Sequence, residues 1–374
     1  MSWTDLLKLS VLAVATGTPS WAAAETVRTG DVLQGVPVIT RLDVADLEPG
    51  KTHRFMFQGA EMGSGQYWYV PIAVAKGARP GKRVLLVAGV HGDELNPIGA
   101  LQETFARIDP ATLSGSVIGV FGLNRPGVEY VTRSWPTVDL GKTLINPNRV
   151  WPGVENGNTV ERHAWLFMEH VFKGNADIGV DMHTGGNGID FALFVFASPD
   201  AESQRIAELF PVDQIMTSPS FPGTLEHGLN EAGIPAVTLE IGGPRGFDPR
   251  MIEAGVIGAE NLFSHYGMSG KPLGQTAKDR NVYRGNDLHD IFADASGFVT
   301  LLVGLNDEVR KGQKVAVQRN AYGDVVHEYV STVDGRVAII GTDAVRERGV
   351  DVVSLIVNNP ACPPQGCGHE GDER

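Results

Sequence analysis

Cysteine is nearly missing from this chain. Of 374 residues only two are cysteines, Cys362 and Cys367, both close to the C-terminal end. A thiol nucleophile in the body of the chain is therefore excluded. Positive charge is also scarce: 31 Lys and Arg stand against 44 Asp and Glu, for a formal net charge of −13, with no basic run to offset it. Such a surface repels nucleic-acid phosphates and anionic membranes, so neither is an expected partner. Long apolar runs are missing too. Hydrophobic residues make up 42% of the sequence, enough for a sizeable core, but no stretch approaches the roughly 20 apolar residues of a membrane span.

The chain ends carry two lesser signals. Lys8 precedes the apolar stretch from Leu9 to Thr16, and Ala22-Ala23-Ala24 offers a small-residue cleavage site before Glu25. Residues 1–24 are thus expected to be a signal peptide, and the protein to be exported, periplasmic or secreted, although Asp5 weakens the basic n-region. At the other end, residues 359–374 form a polar tail. Export allows a disulfide between Cys362 and Cys367 across Pro363-Pro364-Gln365-Gly366, whereas two Cys with His369 are weak grounds for a metal site.

Between these ends, apolar runs alternate with amphipathic stretches, the pattern of an α/β sheet flanked by helices. Strands are predicted at Arg83–Val90, Ser116–Leu123, Asp177–Met182, Phe191–Ala197 and Ala236–Ile241. Helices are predicted at Pro97–Ile108, Val160–Phe172 and Pro249–Tyr266. After Lys271 the texture changes to short β-type runs broken by Gly turns, such as Gly312 to Val317 and Asp334 to Val337. The expected organisation is an N-terminal β segment over 25–64, a catalytic domain over 65–270 and a small all-β domain over 275–358.

Chemistry concentrates at strand ends. His91-Gly92-Asp93-Glu94 follows the first buried strand, and the C-terminal end of a strand in an open α/β sheet points into the ligand crevice. An imidazole and a carboxylate three residues apart on one turn can share a zinc ion. A catalytic zinc site needs a third protein ligand and leaves a position for water. His183, in Asp181-Met182-His183-Thr184-Gly185-Gly186, supplies it from the end of another strand, with Asp181 as its support. One Zn²⁺ per chain is expected on His91, Glu94 and His183. A metal-activated water still needs a base, and Glu240, a lone carboxylate at the end of an apolar strand, fits that role. Arg133 and Arg149 lie between the ligand segments and are candidates to stabilise developing charge and to grip a substrate carboxylate. His163 and His170, seven apart on one predicted helix, read as surface or packing residues.

These segments, in this order, resemble the succinylglutamate desuccinylase and aspartoacylase family, a branch of the zinc carboxypeptidase fold. His91-Gly92-Asp93-Glu94 and Asp181-Met182-His183 are similar to its metal motifs. Asn124-Arg125-Pro126-Gly127 with Arg133 is similar to the segment whose arginine polarises the scissile carbonyl. Asn148-Arg149 resembles the pair that grips the substrate carboxylate, and Leu239-Glu240-Ile241-Gly242 the segment of the general base. The resemblance implies a zinc-carboxypeptidase-like mixed sheet flanked by helices, followed by a barrel-sandwich-like β domain. It also implies a zinc-dependent hydrolase cleaving the amide of an N-acyl amino acid. The sequence departs from the family at Arg125, at Asn146-Pro147 and at Asn230, which stands where aspartoacylases carry an arginine for a second carboxylate. Neutral substrates are therefore expected over dicarboxylic ones, unless Lys271, Arg280 or Arg284 reaches the pocket.

Two other readings compete. A zinc carboxypeptidase trimming peptides would use Arg149 in the same way. A carrier domain with a lipoyl-like swinging arm would need a Lys at a hairpin tip, and Asp334-Gly335-Arg336 and Ala321 to Asp324 offer none. The β domain is expected instead to shape the cleft mouth or an oligomer contact.

Overall fold

A computed structural model describes residues 25–139, 141–363 and 366–367. The proposed export signal and His369 lie outside the described residues.

The large sheet has eleven strands. Its centre is a parallel set, Ser114–Phe121, Arg79–Ala88, Ile178–His183 and Ala236–Ile241, side by side in that order. Both faces of this set are covered, which is why Ile178–His183 and Ala236–Ile241 are buried at every position and read as continuous apolar runs. One face packs on the Asn96–Arg107 and Pro249–His265 helices through Leu101, Val256 and Leu262. The other packs on Phe167, Phe172, Leu225 and Leu229. Antiparallel strands extend the sheet on both sides, so it is mixed.

Three local differences from the sequence expectation have physical causes. The first strand stops at Ala88 because Gly89 adopts a positive φ of 73° and turns the chain into the loop that carries His91 and Glu94. The expected helix to Phe172 is α-helical only over Thr159–Phe167; it then widens into a turn over Met168–Phe172, in which Lys173 N donates to Met168 O five residues back. The run from Phe191 to Ala197 is divided. Ile189–Phe191 pairs with Gly335–Gly341, while Leu193–Ala197 stays in the large sheet, antiparallel to Ala236–Ile241.

That division positions the C-terminal all-β region. Asp287–Phe292, Gly335–Gly341 and Asp351–Val357 form one sheet with Ile189–Phe191, and Gly297–Leu301, Lys314–Arg319 and Val325–Val330 lie in a second. Tyr283–Gly285 joins the large sheet instead, beside Gln214–Thr217. Phe194 and Met216 pack against Ala338 and Ile356 across the junction, and Leu288 and Ile339 of the β region line the same cavity as His91 and His183. Cys362 and Cys367 form a disulfide, which leaves neither thiol free to ligate a metal beside Asp287. Among the described residues no helix is long and apolar enough to cross a membrane.

Candidate active site

Three of the four parallel strands, Arg79–Ala88, Ile178–His183 and Ala236–Ile241, deliver His91 and Glu94, His183 and Glu240 to one end of the sheet, where they line a cavity of about 180 Å³. Glycine at position 92 is required for space: a Cβ there would lie 1.9 Å from the backbone of Gly127. The His91 loop thus packs backbone to backbone on the Asn124-Arg125-Pro126-Gly127 turn, where Asn124 Oδ1 accepts from Gly127 N and Asn124 Nδ2 donates to Arg133 O.

Glu94 is the hub. Its carboxylate, 1% exposed, has His91 Nδ1 at 2.9 Å from Oε1 and His183 Nδ1 at 2.8 Å from Oε2. Arg133 donates to Oε1 as well, and Thr184 N to Oε2. Burial opposes the charge of Glu94, yet the two imidazoles and Arg133 hold its pKa far below the usual carboxylate range.

His91 Nε2 donates to Asn146 Oδ1 at 2.9 Å, which places the free lone pair on Nδ1. Burial, with Arg133 nearby, lowers the His91 pKa to about 4, so the ring is neutral. Its buried Nδ1 has no hydrogen-bond partner despite the short distance to Glu94. Two acceptors facing each other at that distance repel unless a cation lies between them. At His183, burial lowers the pKa, but the carboxylates of Asp181 and Glu94 outweigh it and raise the pKa well above the usual value. A field that draws a proton so strongly draws a divalent cation for the same reason. His183 Nε2 lies 2.9 Å from Asp181 Oδ2, the support expected behind a ligating imidazole. The candidate ligand atoms of His91, Glu94 and His183 all lie within 4.8 Å of one another. Two neutral imidazoles and a carboxylate are a zinc donor set, and the residues fit the metal.

Glu240 is 6% exposed, and its Oε2 has no hydrogen-bond partner. Burial, reinforced by Glu94 and Asp181, raises its pKa well above the carboxylate range against the opposing pull of His183 and Arg133. Arg149 lines the same cavity, with its guanidinium 4.8 Å from the ring centre of Phe221 and Nη1 donating to Asn148 O. Among the described residues it forms no ion pair. Burial, and secondarily Arg133, lowers its pKa. Asn148 is pinned by its Oδ1, which accepts from Leu225 N at 2.8 Å.

The structure therefore brings all seven sequence-expected residues to one cavity, but it corrects the specificity argument. Asn230 does not line the cavity: its Oδ1 holds Ala236 N and its Nδ2 reaches Ser198 Oγ. Lys271, Arg280 and Arg284 do not line it either, being paired with Glu260, Asp213 and Glu208. Sequence reasoning missed Asn146, the His91 partner, and Glu226, a buried carboxylate in the cavity wall. His163, read as surface or packing, is fully enclosed between Ala60 N and Leu123 O.

Residues 80–266, half the chain, match the succinylglutamate desuccinylase/aspartoacylase catalytic domain. The N-alpha-acetyl-L-2,4-diaminobutyric acid deacetylase of Halomonas elongata is 30% identical over 259 residues, covering 66% of this chain and 73% of that protein. The solved succinylglutamate desuccinylase/aspartoacylase from Rhodobacter sphaeroides shares the fold with a TM-score of 0.73 at 24% identity, over 85% of this chain and 98% of that one. The product-bound ectoine utilization protein EutE (DoeB) from Ruegeria pomeroyi does so with a TM-score of 0.73 at 22% identity, over 84% and 98%. The chain belongs to the succinylglutamate desuccinylase/aspartoacylase family.

Proposed function

We propose that the protein is a zinc-dependent deacylase that hydrolyses the amide bond of an N-acyl amino acid outside the cytoplasm. The observation that carries this reading is the convergence of His91 Nδ1, His183 Nδ1 and the Glu94 carboxylate on one point beside Glu240. The related deacetylase named for N-alpha-acetyl-L-2,4-diaminobutyric acid makes acetyl the first acyl group to test.

Zinc held by His91, Glu94 and His183 supplies Lewis acidity to water and to the scissile carbonyl. The chain does the rest. Arg149, stacked on Phe221 and free of a protein carboxylate, receives the carboxylate of the substrate and fixes the amide over the metal site. Arg133, anchored through Glu94, presents its guanidinium to the oxygen that gains charge in the transition state. Glu240 accepts a proton from the attacking water and returns it to the departing amine. Burial raises its pKa, which makes its carboxylate a stronger base than one in water. Phe191, Phe196, Leu288 and Ile339 give the cavity apolar walls. A volume of about 180 Å³ lies below the roughly 300–1,000 Å³ of drug-sized pockets, which favours an acyl amino acid over a peptide.

A panel of N-acyl amino acids and dipeptides, assayed with and without chelator, tests the assignment. Chelator-sensitive release of the acyl acid supports it; release of single residues from peptides, with no action on acyl amino acids, replaces it with a carboxypeptidase.

A further inference from the structure

Glu226 has no part in the mechanism above, yet its surroundings are those of a binding group. It stands in the first turn of the Leu225–Glu231 helix, 4% exposed, and it lines the same cavity as His183, Arg149 and Glu240. Thr238 Oγ1 donates to its Oε2 at 2.9 Å and Ser198 Oγ to its Oε1 at 3.5 Å. Among the described residues no Lys, Arg or His pairs with it. Burial, reinforced by Asp181 and Asp200 of its own sign, raises its pKa to about 8, so its full charge is drawn out only by a cation. A carboxylate buried without a cation is costly, and two hydroxyls compensate only part of that cost.

The opposite charge in the cavity is Arg149, and it does not pair with Glu226 either. The two are held on linked elements, since Asn148, beside Arg149, accepts from Leu225 N, beside Glu226. One cavity thus holds an unpaired guanidinium and an unpaired carboxylate, kept apart by the fold, with the aromatic rings of Phe221 and Phe196 in its walls. The molecule that satisfies both carries a carboxylate at one end, a cation at the other and a short apolar stem between them.

We infer that Glu226 is the anionic end of the side-chain subsite and selects N-acyl amino acids whose side chain ends in an ammonium group. The inference rests on the deacylase reading for its substrate, but its charge logic stands on the cavity alone. It also replaces Asn230 as the cause of discrimination against dicarboxylic substrates. A second carboxylate would meet Glu226 in place of a cation and would find there no opposite charge to offset its loss of water.

The test uses zinc-loaded full-length protein and near-isosteric pairs: Nα-acetyl-2,4-diaminobutyrate against N-acetylnorvaline, and Nα-acetylornithine against N-acetylnorleucine. In at least one pair the ammonium member should be hydrolysed with a kcat/KM roughly 10²-fold higher. Glu226→Gln keeps an acceptor for Thr238 and removes the charge. It should bring the ammonium member down to the level of its neutral partner, with the loss falling on the ammonium member far more than on the neutral one. Calorimetry of the free products, 2,4-diaminobutyrate and ornithine against norvaline and norleucine, reads the subsite without catalysis. Preferential binding of a diamino acid that Glu226→Gln abolishes supports the inference even if no acyl derivative is cleaved, and in that case the deacylase reading alone fails. Equal handling of both members in both pairs, a preference that survives Glu226→Gln, or an equal loss on both members would overturn it.

Discussion

Glu240 and His183 are register partners across the parallel ladder between Ala236–Ile241 and Ile178–His183. Paired residues of adjacent strands leave the sheet on the same side, so the proposed base is set beside the proposed metal ligand by backbone hydrogen bonding alone. Thr238 and Asp181 are partners two residues earlier on the same ladder, which puts the support of His183 and the partner of Glu226 on that face too.

From this arrangement, Glu240→Gln should retain zinc and fold, because the amide is nearly isosteric and Glu240 Oε2 holds no protein partner to be lost. Its kcat should fall by roughly 10²–10⁴, the worth of a positioned acid-base group. Steady-state kinetics with metal analysis check both halves. Near wild-type turnover would reassign the base.

Arg149 offers an unpaired guanidinium stacked on Phe221. Methyl esters or amides of a good substrate should lose roughly 10²-fold or more in kcat/KM, since they leave that charge buried and unpaired. Arg149→Lys should be nearly as damaging, because a compact ammonium provides neither the fork nor the stacking surface. N-acetyl-leucine should outperform N-acetyl-aspartate, because Glu226 offers the second carboxylate no opposite charge. Competition assays on matched pairs measure these differences.

His163 links stability to pH. Ala60 N donates to its Nδ1 and its Nε2 faces Leu123 O, so both ring nitrogens are satisfied only in the neutral form. Burial lowers its pKa to about 4, below the unfolded value of about 6.5. The unfolded chain then binds a proton that the native state refuses, and stability falls as pH drops from about 6.5 towards 4. Linkage puts the loss at about 3 kcal/mol by pH 4. Denaturant melts of wild type and His163→Gln across that range should show a shallower pH slope in the variant; parallel slopes would contradict the assignment.

What the sequence made legible were positions, and what it concealed were partners. His91, Glu94, His183 and Glu240 could be found because each follows an apolar strand, and a strand end fixes where a side chain goes. Asn146 could not be assigned, since its hydrogen bond to His91 spans 55 positions and nothing local marks it. Glu226 was hidden for a different reason: a carboxylate in the first turn of a helix is ordinary capping chemistry, and only the tertiary fold shows that it faces a cavity. Asn230 shows the converse. Its place in the family pattern suggested a pocket residue, yet its side chain is spent on Ala236 N and Ser198.

Export remains a proposal from residues 1–24. N-terminal sequencing of protein from its native host should begin near Glu25. A mature chain retaining Met1 would refute the cleaved signal.

Zinc titration into metal-stripped protein, with acyl release followed at each addition, tests the central claim most directly. The account predicts that activity is absent from the stripped enzyme, rises in proportion to added zinc and saturates at about one ion per chain. In His91→Ala neither tight binding nor activity should return. A preparation that is metal-free and fully active, or a His91→Ala variant that binds zinc and turns over like wild type, would contradict it.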